Sequence, residues 1–214
     1  MDFHPNIPFA ALLVTITSVS LIFARDWRWN ILILAGQYVG VFFLVSASWP
    51  FTMAVTKLVA GWIASAVLGM AIVSVPELYP VTEAESKGRW TAERLFTSVL
   101  RRFSESAFYF LTALLVLVVL ISQIPNVLNW IPFVSKEYAW SGLVLISFGL
   151  LKTGFTDQPF LITIGILSSL SGFEILYAAV QSSLLMAGLL SGVTLALSVA
   201  GAYLLLSSYM ESPN

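Results

Sequence analysis

Two ionisable residues stand where an apolar chain should carry none. Lys57 lies within MAVTKLVAGW and Glu174 within LSGFEILYAAVQ, each flanked by apolar residues on both sides. A charge at the centre of a bilayer costs about 2.5–3.5 kcal/mol on insertion scales. Such residues therefore face a bundle interior or a hydrated path, and they commonly carry protons or ions. Gln37, in the middle of another apolar run, is polar but cannot titrate. These three are the candidate members of a charge path. Gln181 and Lys152, near the ends of their runs, are secondary candidates. Each ionisable group also has a purely structural reading. Lys57 is seven residues past Pro50, so its ammonium can snorkel to the nearer interface. Glu174 can serve as a protonated, hydrogen-bonded group, and Lys152 as an interface anchor.

Other chemistries lack their residues. There is no cysteine, which removes disulfides, thiol nucleophiles and iron–sulfur ligation. The single histidine, His4, cannot build a haem or zinc site alone. No glycine-rich phosphate loop follows a strand pattern, and no Ser/His/Asp set is possible within the apolar runs. No cofactor is expected. A net charge of −1 provides no basic field for nucleic acid.

The elements that must position these residues are apolar helices. Of 214 residues, 58% are hydrophobic and 10% charged, and the mean hydropathy is +0.91. Soluble domains are about 25% charged, and a run of about 20 apolar residues spans the hydrocarbon core as a helix. Seven such segments are predicted, at 8–24, 29–48, 51–75, 106–124, 138–151, 159–180 and 183–206. The fifth is short and can extend through Lys152 toward Thr156. The whole chain, 1–214, reads as a single all-α membrane domain, a polytopic bundle of about seven transmembrane helices. MDFHPNIPF has no Lys or Arg ahead of the first run, so that run is read as a retained helix and not a signal peptide.

Seven spans divide the loop charges unevenly. One side holds eight Lys and Arg: Arg25, Arg28, Lys87, Arg89, Arg94, Arg101, Arg102 and Lys152. The other holds Lys136 alone. The positive-inside rule makes the first side cytoplasmic, with the N-terminus outside and the C-terminus inside. The longest loop, 76–105, is then cytoplasmic. Phe96, Val99, Leu100 and Phe103 recur there at amphipathic-helix spacing, which predicts a helix lying on the membrane surface. Small residues recur every four positions in three segments: Gly36 and Gly40; Gly61, Ser65 and Gly69; Gly188, Gly192, Ala196 and Ala200. Such ridges allow close helix packing, within the chain or against partners.

The segment GFEILYAAVQ, 172–181, resembles the second-helix motif of the K subunit of respiratory complex I. In that motif a Glu precedes an apolar stretch and then Ala-Val-Asn; Glu174, Ala179, Val180 and Gln181 fall in the matching places. LAGQY at 34–38 and AVTKLVAG at 54–61 resemble the same two-helix pattern, with Gln37 and Lys57 where the family has Glu, and with Gly61 retained. In this respect the chain is similar to membrane component E of formate-hydrogenlyase-type hydrogenase complexes, and to the C subunit of multisubunit cation/proton antiporters. The resemblance covers two helix pairs, 25–75 and 159–206. It departs from the family in the tight spacing of Gln37 and Lys57, and in a last helix with no carboxylate, where Ser191 and Thr194 stand nearby. The resemblance implies a non-redox subunit of an ion-translocating, energy-converting complex in an inner or equivalent membrane. It would lie beside larger antiporter-like subunits and a membrane-anchored electron-transfer module, and would have no catalytic centre of its own. Two other readings stay open: a structural or assembly subunit, and an independent small transporter.

Overall fold

The structure is a computed structural model. It describes residues 7–24, 26–75, 92–131 and 134–210, with backbone alone for 92–106 and 208. His4, Arg25, Lys87, Arg89 and the part of the long loop at 76–91 lie outside the described residues. So do the side chains of the predicted amphipathic stretch, from Arg94 to Phe103.

Seven helices follow one another, with no strand among the described residues: α1 (Ile7–Phe23), α2 (Trp27–Ser48), α3 (Phe51–Val73), α4 (Ala92–Trp130), α5 (Lys136–Gly154), α6 (Pro159–Val180) and α7 (Leu184–Met210). The punctuation acts locally. The Trp49 N–H closes α2 onto the Val45 carbonyl, and Pro50 starts α3 at once. Pro159 occupies the first turn of α6, where a missing N–H costs nothing. Five segments are long and apolar enough to cross a membrane: α2, α3, the Ala107–Trp130 part of α4, α6 and Leu184–Ser207 of α7. α1 is apolar but only 17 residues long, and α5 carries Lys136, Glu137 and Lys152 within 19 residues. The exterior is itself apolar, with Leu111, Leu115, Val118 and Ile121 of α4 and Leu185, Val199 and Tyr203 of α7 all exposed. This is the architecture of a multi-pass helical membrane protein.

α4 departs from the sequence reading. It is one unbroken helix of 39 residues, so the amphipathic stretch continues directly into the span instead of forming a separate surface helix. Its length, about 58 Å at 1.5 Å per residue, exceeds the hydrocarbon core of about 30 Å. It also runs through Pro125, one residue past the predicted end of this span at 124. A proline removes one backbone hydrogen bond, but Val127, Leu128 and Ile131 beyond it pack against a core cluster that includes residues of α1, α2 and α5, and this packing carries the helix onward.

The core is built from two hairpins, α2–α3 and α6–α7. α3 packs along α7, and α2 along α6. The indole N–H of Trp49, in the first hairpin turn, donates to the Gln181 carbonyl in the second at 3.0 Å. α1 and α5 pack outside this four-helix core, and α4 lies at the edge, mainly against α5. The most extensive helix pair is α5–α6, and glycines spaced seven apart explain its closeness. A Cβ on Gly165 would lie 2.6 Å from the Gly149 carbonyl oxygen; one on Gly142 would lie 3.0 Å from that of Gly172. The backbones touch directly at both levels. The sequence ridges divide. Gly40 is covered by Val14 of α1 and Gly61 by the Tyr38 ring, whereas Gly188 and Gly192 of α7 have nothing within 4 Å of where a side chain would begin.

Candidate functional site

Lys57 is six residues into α3, and Glu174 is six residues before the end of α6. At 1.5 Å per residue each lies about 9 Å below the hairpin turns. The packing of the two hairpins brings them together, and the Lys57 ammonium forms an ion pair with Glu174 Oε1. It also donates to Thr194 Oγ1 of α7 at 2.6 Å. Thr194 in turn donates to the Leu190 carbonyl. The Tyr38 ring centroid lies 5.9 Å from Lys57 Nζ, in reach of a cation–π contact. Lys57 retains 3% and Glu174 2% of its possible exposure. Lys57 therefore does not snorkel to an interface.

The small face of α3 explains how a lysine fits here. Lys57 and Gly61 are one turn apart on one row of the helix, and the absent Cβ of Gly61 is the space taken by the Tyr38 ring. α6 presents a matching polar row. Ser168, Ser171 and Glu174 are spaced three apart and fully buried. Deeper toward the middle of the bundle, the Gln37 amide donates to Ser168 Oγ at 2.7 Å. Glu174 Oε2, the Tyr38 hydroxyl and Gln37 Oε1 are buried without a hydrogen-bond partner.

The secondary candidates lie elsewhere. Lys152 is buried against the C-terminal end of α1. Its three ammonium hydrogens meet the Leu21 carbonyl, the Asn30 Oδ1 at 3.0 Å and the Ala24 carbonyl at 3.3 Å. It donates to carbonyls at the negative end of a helix dipole, a structural task. Gln181 is exposed at the second hairpin turn and contributes its backbone carbonyl to Trp49.

Thr194, Tyr38, Ser168 and Asn30 were not among the residues singled out from sequence as path members. Only the three-residue spacing of 168, 171 and 174 offered a signal, since it puts Glu174 on a polar row. Chemically, an ammonium, a carboxylate and hydroxyls held together away from lipid can store a charge and hand on a proton. No group of three or more His, Cys, Asp or Glu that could hold a metal ion occurs among the described residues. Compared with family models, with curated proteins and with solved structures, the chain matches none.

Proposed function

We propose that this chain is a non-redox subunit of an ion-translocating, energy-converting membrane complex, with the Lys57–Glu174–Thr194 cluster as its intramembrane charge site. The carrying observation is the buried ion pair between two hairpins. Replacing such a pair by apolar residues is often neutral or stabilising. A bundle that needed only to hold together would gain nothing from it. The pair belongs to the two helix pairs that resemble the complex I K subunit and its hydrogenase and antiporter relatives. The same reading puts the N-terminus outside and the C-terminus inside, on the eight-to-one partition of loop charges, in an inner or equivalent energy-converting membrane. Larger antiporter-like subunits are the proposed partners.

One observation favours the scaffold reading, a subunit that organises others without transport. The row Gly188, Gly192, Ala196 and Ala200 is exposed on α7, a face suited to close packing by a further helix.

Glu174→Gln tests the choice. It keeps the shape and removes the titrating proton. Loss of coupled ion translocation in a complex that still assembles supports the charge-site reading. Normal translocation by the assembled variant assigns the pair to structure, and the scaffold reading takes its place. Copurification without large multi-helix partners would instead favour a small independent transporter.

A further inference from the structure

The polar groups of the core form two layers at different depths. The upper layer is Lys57, Glu174 and Thr194. The lower is Gln37 bonded to Ser168, six residues or about 9 Å along α6 from Glu174. Counting along the other helices, Ser65 of α3 is eight residues beyond Lys57 and Ser198 of α7 is four beyond Thr194. Both lie in the direction of the lower layer, and both are buried. Carbonyls of their own helices hold the Ser65 and Ser198 hydroxyls.

Between the layers lies Tyr38. Its ring rests on Gly61, one turn from Lys57 toward the lower layer. Its hydroxyl faces Ser171, midway between Ser168 and Glu174 on the polar row, and feels the Glu174 charge. It is fully buried, with the Ser171 hydroxyl beside it and no hydrogen bond of good geometry. Glu174 Oε2 in the upper layer and Gln37 Oε1 in the lower are likewise buried without a hydrogen bond. A buried hydroxyl without a partner costs about 1–3 kcal/mol. Phenylalanine would fill the same space over Gly61 without that cost.

We infer that the Tyr38 hydroxyl links the two layers, receiving a proton from the Glu174 side as it releases its own toward Gln37 and Ser168. The inference rests on the charge-site reading above and gives that site a direction, along the membrane normal inside the four-helix core. The step balances. A proton arriving from the upper side first neutralises the Glu174 carboxylate of the ion pair, and the resulting carboxyl gives that proton to the phenol oxygen, directly or through one water. The phenol O–H bond breaks toward a water that the Gln37 carbonyl oxygen orients as a hydrogen-bond acceptor. Tyr38 is neutral before and after, Glu174 is left as a carboxylate beside Lys57, and one proton has moved down. Rotation of the hydroxyl resets the link.

The test uses the full chain, with whatever copurifies, in proteoliposomes holding a pH-sensitive dye, under a potassium–valinomycin potential. Wild type, Glu174→Gln, Tyr38→Phe and the double variant are compared for proton entry. Tyr38→Phe removes one oxygen and leaves the ring on Gly61. It should slow entry by about a hundredfold, the lower end of what a positioned proton-transfer group contributes. Glu174→Gln should slow it comparably, and the double variant should be no slower than the slower single variant. Groups acting in one path are non-additive in this way, whereas a packing defect would add. Slow entry in E174Q with full entry in Y38F overturns the Tyr38 link and leaves the site reading standing. Additive losses also overturn the link. Full entry in E174Q, or wild-type entry no faster than protein-free vesicles, overturns both. If Y38F does not fold, Gly61→Ala takes its place, since a Cβ there displaces the ring and leaves the hydroxyl; full entry by that variant overturns the link.

Discussion

Lys57→Met tests whether the ion pair at the centre of the bundle is one energetic unit. Methionine matches the length of lysine and removes its charge. Glu174, only 2% exposed, then has no cation. Breaking a buried pair from one side costs about 3–5 kcal/mol, because the remaining charge is left uncompensated. Thr194 offers partial relief. Its hydroxyl now donates to Leu190, and turning it to Glu174 would recover about 1 kcal/mol net. The expected loss is therefore about 2–4 kcal/mol. Glu174→Gln in the same background removes the orphaned charge, and the double variant should lie within about 1 kcal/mol of wild type. Reversible unfolding in mixed micelles, read by the seven tryptophans, measures all three variants. The reasoning fails if K57M is as stable as wild type. It also fails if the double variant loses the sum of the single losses, since the two side chains would then not be coupled.

Three further outcomes follow from the packing, and a fourth from the loop charges. Lys152→Met should cost about 2 kcal/mol in the same unfolding assay, because the Leu21 carbonyl and Asn30 Oδ1 lose their donor; proton entry should stay at the wild-type rate. Gly165→Leu should cost about 3 kcal/mol or more through overpacking, since its side chain would enter the Gly149 backbone; a normal size-exclusion profile and melting temperature would contradict it. Trp49→Phe should cost about 1 kcal/mol by loss of the bond to the Gln181 carbonyl. Cysteine placed at Ser135 should label from outside and at Ser86 from inside; labelling of both from one face would rule out an odd number of spans between them.

Helix number, and the bounds of the helices other than α4, were legible because bilayer thickness and apolar run length act locally on the chain; α4 runs on at both ends, through Pro125, because tertiary packing outweighs the proline. Lys57 and Glu174 were legible for the same reason, as charges in the wrong solvent. Their pairing was not. It depends on which face of α3 meets which face of α6, and those residues are 117 positions apart. The α5–α6 contact was missed because its glycines are seven apart, Gly142 to Gly149 and Gly165 to Gly172, while the four-residue rows drew attention. One such row, on α7, turns out to face outward. Tyr38 reads as an ordinary aromatic in sequence; only its seat on Gly61 shows that its hydroxyl is committed to the interior.

The separation of Lys57 from Glu174 also sets an order for biosynthesis. Chain growth at about 5–20 residues per second leaves roughly 6–23 seconds between the making of the lysine and of its carboxylate. During that interval α3 must enter the membrane without the carboxylate partner of Lys57, at an insertion cost of at most about 2.5–3.5 kcal/mol, the value for a charge at the helix centre. The remaining side chains of α3, nearly all apolar, have to outweigh that cost before α6 exists. α5 and α6, whose glycines meet within 16 to 30 residues of each other, can pair as soon as both are made. The first hairpin therefore waits, incompletely neutralised, for the last one, and the ion pair closes only when translation is nearly finished.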